Sequence, residues 1–211
     1  MIRSLDPELM DSPEIVGPVL EKFHRDLARI HSLLGSFPTI ERLLKRNDTP
    51  VRRVLDIGCG GGALLAYLRD RMGVEVIGID RKPGYARDVR IIEANAIYDP
   101  LPEADVAVSS LVAHHLTPEE NVALIRNVGR SCKRFLILDL IRHPMPLVLF
   151  TMFICPLIGR EAAVDGRQSI RRAFTPEEFG DLVRAALEGT RGSFAIDVPP
   201  LLSRQVVDIR W

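Results

Sequence analysis

The sequence predicts an α/β fold in which a doubly wound, mostly parallel sheet is covered by helices on both faces, and three observations point to it. Short apolar segments recur near residues 51–57, 74–79, 89–93, 104–110 and 134–140, with helical stretches near 62–71 and 118–129 among them. Those segments are apolar almost throughout rather than alternating, as strands buried on both faces are. The run Val54-Leu55-Asp56-Ile57-Gly58-Cys59-Gly60-Gly61-Gly62 is followed, eighteen residues after Gly62, by Asp80 at the end of Val76-Ile77-Gly78-Ile79-Asp80. That pattern reads as a strand, a glycine turn, a helix and a second strand with a carboxylate at its tip.

Taken in order, the chain opens with Leu20, Phe23, Leu27, Ile30 and Leu34 at helical spacing, which predicts an amphipathic helix over Val19–Leu34. A shorter helix from Pro38 to Lys45 leads to the turn Asn47-Asp48-Thr49-Pro50, after which the sheet begins. Thr117-Pro118-Glu119-Glu120 and Thr175-Pro176-Glu177-Glu178 each open a helix with a threonine cap and a proline in the first turn. Residues 193–198 and 204–210 read as two final strands. Pro146 to Ile158 is apolar but too short to span a bilayer, and Asp139, Arg142 and His143 block its extension backwards. It reads either as a core helix packed on the sheet or as an apolar lid and pocket wall beyond the fifth strand. One domain, 1–211, accounts for all of this, with a helical cap (1–50), a core (51–140), a lid segment (141–174) and a final helix and strands (175–211).

Composition narrows the function classes. A chain of 211 residues can bury a substantial single core. Its 28 basic and 28 acidic side chains cancel, which argues against nucleic acid as the main partner. The N-terminus, with Asp6, Glu8, Asp11 and Glu14, lacks the basic and apolar blocks of a signal peptide, so a cytoplasmic location is expected. Cys59, Cys132 and Cys155 show neither a CxxC pair nor metal-ligand spacing, and no carboxylate and histidine spacing suggests a bound metal.

Gly58-Cys59-Gly60-Gly61-Gly62-Ala63 fits a loose dinucleotide pattern as well as a G-x-G-x-G pattern. A pyrophosphate at a helix N-terminus wants an electropositive cradle, and Asp56 two residues before the first glycine suits a cationic ligand instead. The segment resembles motif I of the class I S-adenosylmethionine-dependent methyltransferases. Ile91-Ile92-Glu93-Ala94-Asn95-Ala96 is similar to the family's third strand and adenine-contacting turn. Ala104-Asp105-Val106-Ala107-Val108-Ser109-Ser110, with Leu111-Val112-Ala113-His114-His115-Leu116, is similar to its fourth strand and loop. The resemblance implies a Rossmann-like seven-stranded sheet with an antiparallel last strand, S-adenosylmethionine as cofactor and a small-molecule acceptor. It places Asp56, Gly58, Cys59, Gly60 and Gly62 on the methionine side, Asp80 at the ribose with Arg81 beside it, Asn95 and Ala96 at the adenine, and Ser110 at the end of strand four.

Within that superfamily the chain is similar to bacterial small-molecule methyltransferases of polyketide and phenolic-lipid pathways. The likeness is carried by Arg25–Gly35, Asp139-Leu140-Ile141-Arg142-His143-Pro144 and Asp165–Thr175. The fourth-strand loop lacks the Asn/Asp-Pro-Pro-aromatic motif of many exocyclic-amine methylating enzymes, which leaves oxygen or carbon as the acceptor atom. A phenol or enol also needs a proton acceptor, and histidine titrates in the right range. His143, at the mouth of strand five, and His115 are the leading candidates, ahead of His114 and His31. Arg142, Arg171 and Arg172 could orient an acidic oxygen through forked donors, or could form a solvated or internally paired surface cluster. A binding protein without transferase activity and a nicotinamide-dependent oxidoreductase remain as alternatives, and homodimerisation stays open.

Overall fold

The computed structural model describes the whole chain apart from residues 10–11, 13–14, 16, 19–21, 23–24, 27–34, 85–87 and 200–202. The helix expected over Val19–Leu34 therefore falls largely outside the described residues, as does His31.

Seven strands form one sheet: β1 Arg53–Ile57, β2 Glu75–Asp80, β3 Arg90–Glu93, β4 Val106–Ser110, β5 Arg134–Leu140, β6 Ser193–Asp197 and β7 Arg204–Arg210. Their order is β3-β2-β1-β4-β5-β7-β6. β1 to β5 run parallel, and β7 lies antiparallel to both β5 and β6, as expected for this ending. The order reverses between β1 and β4, and the crevice beyond the carboxyl ends of strands at such a switch point is where ligands bind in open α/β sheets.

Both faces of the sheet are buried, which is why the strands read as apolar runs. On one face Leu55, Ile77, Ala107, Phe135 and Ile137 pack against α3 (Pro118–Val128) and α6 (Pro176–Leu187), through Leu124, Ile125, Phe179 and Val183. On the other, Val54, Val76, Val106, Leu136 and Leu138 pack against α1 (Ser36–Lys45) and α2 (Ala63–Met72), through Ile40, Leu44, Leu65 and Leu68. The two threonine caps form full capping boxes: Glu120 N–H donates to Thr117 Oγ1 at 3.2 Å while Thr117 N–H donates to Glu120 Oε2 at 2.8 Å. The Thr175–Glu178 pair repeats this at 3.2 and 2.9 Å. Each cap contributes about 0.5–2 kcal/mol.

After β5 the chain forms a short helix, α4 (Pro144–Leu149), a π-helical turn (Phe150–Ile154), a 3-10 turn (Cys155–Leu157) and then α5 (Arg160–Arg172). The apolar stretch is thus broken into short pieces, and Val148, Met152, Phe153 and Leu157 face outward. It is not a buried core helix.

Candidate functional site

The glycine turn closes against two neighbouring strand ends. Gly58, Gly60 and Gly62 all take positive φ, at 71°, 53° and 72°, the region that side chains disfavour. Gly58 N–H donates to Ile79 O at 2.8 Å, and a Cβ on Gly58 would overlap the Val112 side chain. The turn is therefore pressed onto the loop after β4. Gly60 N–H donates to Asp80 Oδ2 at 2.7 Å, and Lys82 N–H donates to Asp80 Oδ1 at 2.8 Å. One carboxylate thereby ties the turn to the loop after β2, with Arg81 exposed beside it.

Asp56 is 2% exposed. Burial, with the charge of Asp80 adding to it, pushes its carboxyl well above the usual range. A cation placed near Asp56 would reverse that by favouring the carboxylate. Burial, with Asp56 and Asp80 adding to it, also pushes the Cys59 thiol strongly up, so Cys59 is no nucleophile at neutral pH. Its sulfur instead fills the space beside Gly78, where a Cβ would come within 2.5 Å of it.

The turn after β3 is braced by side chains. Asn95 Oδ1 accepts Ile97 N–H at 3.1 Å, Asp99 Oδ2 accepts Asn95 N–H at 2.7 Å, and Asn127 Nδ2 donates to Ala96 O at 2.9 Å. Ala94 N–H donates to Asp80 O at 3.0 Å, which joins this turn to the end of β2. At the end of β4 the Ser110 hydroxyl is buried with no hydrogen-bond partner among the described residues, and Leu111 follows at φ 60°. A leucine in the left-handed region is strained, and such strain gathers at ligand sites.

A second group of polar side chains sits at the ends of β4 and β5. His114 Nδ1 lies 2.6 Å from Asp139 Oδ1, and His114 N–H donates to Asp139 Oδ2 at 3.1 Å. Burial alone would raise the Asp139 carboxyl, but the neighbouring His114 and the Leu140 N–H outweigh it and hold it below the ordinary value. Glu8, 4% exposed, reaches in from the N-terminal segment. It accepts the Ser169 hydroxyl at 2.7 Å and lies 3.6 Å from His114 Nε2 and 3.9 Å from His115 Nε2.

Three arginines bind the N-terminal segment over this group. Arg172 donates to His115 O at 2.8 Å and to Asp6 O at 3.1 Å. Arg3 donates to Leu116 O at 2.9 Å and to Arg172 O at 2.6 Å. Arg142 donates to Met1 O, Ala173 O and Glu178 Oε1. Arg142 and Arg172 are thus paired internally, and both are buried rather than part of a surface cluster.

The structure brings the predicted residues Asp56, Gly58, Cys59, Gly60, Gly62, Asp80, Asn95 and Ala96 to the carboxyl ends of β1 to β3, with Ser110 on the adjoining β4. His115 belongs to the second group. His143 stands apart as the cap of α4, its Nδ1 accepting Met145 N–H at 3.1 Å. Glu8 and Asp139 are partners that sequence reasoning did not find.

Comparison with known proteins agrees with this architecture. A family profile described as a methyltransferase domain matches residues 54–134, the span holding the glycine turn, Asp80 and the turn after β3. Over that span the chain resembles a methyltransferase domain. The chain is 31% identical over 109 residues to an indolepyruvate C-methyltransferase of Streptomyces griseus, covering 44% of this chain and 33% of that one. It is 30% identical over 152 residues to a ubiquinone biosynthesis O-methyltransferase of Cereibacter sphaeroides, covering 64% and 59%. The match thus spans only a third to about three fifths of the curated relatives' length. Among solved structures, the plantazolicin methyltransferase BamL, in complex with a triazolic desmethylPZN analog and SAH, superposes with a TM-score of 0.72 at 18% identity, over 90% of this chain and 89% of that one. The mitomycin 7-O-methyltransferase MmcR does so with a TM-score of 0.64 at 18% identity, over 96% and 59%. These two share the methyltransferase fold.

Proposed function

We propose that this chain transfers the methyl group of S-adenosylmethionine to an oxygen of a small, largely apolar acceptor such as a phenol, enol or polyketide-like compound. The observation that carries the reading is the glycine turn held between Asp56 and Asp80. A dinucleotide pyrophosphate needs the turn's N–H groups, yet Gly60 N–H is taken by Asp80, and a second carboxylate lies buried beneath. A cationic cofactor with ribose hydroxyls suits the same cradle. In this reading Asp56, Gly58, Cys59, Gly60 and Gly62 hold the methionine side, Asp80 the ribose, and Asn95 and Ala96 the adenine, with Ser110 at the edge. The names of two of the relatives above specify oxygen and one specifies carbon, which supports oxygen as the more frequent choice.

Bound there, the cofactor supplies a methyl group on a positively charged sulfur, and the chain's task is to align the acceptor oxygen with it. Transfer to an acceptor oxygen would also need a residue of the chain to take the acceptor's proton. His143 caps α4 through Nδ1, so its neutral ring carries the hydrogen on Nε2 and has no lone pair left to offer. We therefore assign the proton-accepting role to His115, whose side chain is 16% exposed against 3% for His114. At neutral pH, His115→Ala should lower kcat about 100-fold with cofactor affinity intact, the scale of a positioned base, while His143→Ala should cost much less. The opposite ranking would return the role to His143.

Calorimetry should show S-adenosylmethionine or S-adenosylhomocysteine binding and negligible NAD or NADP binding. Methyl-labelled cofactor should transfer label to members of a phenol and enol panel. Asp80→Ala should weaken cofactor binding by about 1.5–3 kcal/mol, the worth of a hydrogen bond to a charged group. Unchanged affinity would remove Asp80 from the ribose, and preferential NAD binding would remove the proposal.

A further inference from the structure

The segment after β5 presents a surface that neither cofactor binding nor proton transfer requires. From Met145 to Ile158 the chain contains no charged residue, and its one hydroxyl, Thr151 Oγ1, is turned back onto Leu147 O at 2.7 Å. On the inner side Pro146 is buried, and Phe150 packs so closely on α5 that a Cβ at Gly166 would overlap its ring. On the outer side Val148, Met152, Phe153 and Leu157 are 53%, 62%, 61% and 80% exposed. Outward clustering of large apolar side chains on one short segment marks a contact surface.

The chemistry of the face selects its occupant. A protein laid on it would bring peptide N–H and C=O groups that need partners, and specific protein interfaces carry a hydrogen bond for every 100–200 Å² or so. This face offers none from its side chains. Hydrocarbon asks for none. No acidic residue occurs between Leu140 and Arg160, and the first charges after the segment, Arg160 and Glu161, are exposed and of opposite sign, so the face carries no net charge that would select a charged protein partner. No helix among the described residues is long and apolar enough to cross a membrane, and an apolar stretch of this length suits the interface plane rather than a span.

We propose that the α4 and π-turn segment is a monotopic membrane-docking face, immersing Val148, Met152, Phe153 and Leu157 in one leaflet of a lipid bilayer. The docking does not depend on the methyl-transfer reading. Where that reading holds, it brings the chain to the hydrocarbon in which an oily acceptor dissolves.

The test is flotation of the full chain with vesicles of phosphatidylcholine containing a minority of phosphatidylglycerol. The wild-type chain should float with the vesicles, largely so even at high salt, because apolar insertion is not screened. The Met152→Glu/Phe153→Glu variant should lose roughly 100-fold in partitioning while melting at the wild-type temperature, since both side chains are exposed and two apolar anchors are replaced by charges. Val148→Glu with Leu157→Glu should give the same result from independent positions. Three outcomes would overturn the proposal. They are a wild-type chain that stays with the soluble fraction, binding that vanishes at high salt, and a concentration-dependent dimer in light scattering that the Met152→Glu/Phe153→Glu variant abolishes, which would make the face a contact between copies of this chain.

Discussion

Gly60→Val should bind S-adenosylmethionine and S-adenosylhomocysteine more than about 100-fold more weakly than the wild-type chain while remaining folded. Its φ of 53° forces any side chain into the left-handed region, at a cost on the order of 1–3 kcal/mol, and a β-branched residue is worst placed there. The turn would open to relieve that strain. Opening would pull Gly60 N–H away from Asp80 Oδ2 at 2.7 Å and Gly60 O away from Gly84 N–H at 3.1 Å, the two bonds that set the mouth of the cradle. A domain with about 5–15 kcal/mol of stability tolerates the cost, so loss of binding can be read separately from loss of fold. Gly58 is a poorer choice because its Cβ would collide with Val112 and disturb the loop after β4 as well. Gly60→Ala, without the branch, should retain weakened binding. If Gly60→Val keeps wild-type affinity in calorimetry, the glycine turn is not the cofactor cradle.

The sheet was legible because its signals are local. Strands buried on both faces need consecutive apolar residues, as in Phe135-Leu136-Ile137-Leu138, where Phe135 and Ile137 serve one core and Leu136 and Leu138 the other. The threonine caps were equally legible, because all the groups they join lie within four residues of one another. The apolar 146–158 stretch was not. Its composition suits a core helix as well as a lid, and only the fold shows that α5 covers one side and leaves Val148, Met152, Phe153 and Leu157 outside.

The glycine turn and the acidic strand tip were legible for the same reason: both lie within one strand-helix-strand unit. The rest depends on contacts between distant parts of the chain. Glu8 meets Ser169, His114 and His115 across more than a hundred residues, and no spacing rule reaches that far. His143 looked well placed at the mouth of β5, but a histidine followed by proline at a helix start can also serve as the cap, and its Nδ1 does so here. Which role such a histidine takes depends on the ring's rotation, and sequence carries no record of that. Asp139 appeared as one more residue at a strand end, although a buried carboxylate there requires a partner, and the neighbouring strand's loop supplies it in His114.

That pair sets the largest stability effect expected of a single substitution. Asp139→Ala should lower the free energy of unfolding by about 3–5 kcal/mol at neutral pH, since each buried group left without its partner costs about 1–3 kcal/mol. The truncation leaves His114 Nδ1, His114 N–H and Leu140 N–H without their acceptor in a site where His114 is 2% exposed. The effect should also depend on pH with a definite sign. Asp139 is held below its ordinary value in the folded chain, so its contribution is present above the unfolded carboxyl value of about 4 and is lost as pH falls through the lower folded value. Urea denaturation should therefore show a gap between wild type and Asp139→Ala that is widest near neutrality and narrows on acidification below about pH 4. A gap under about 1 kcal/mol at neutral pH, the scale of an exposed ion pair, would mean that water replaces Asp139 around His114 and that the β4–β5 junction is not the buried pair described above.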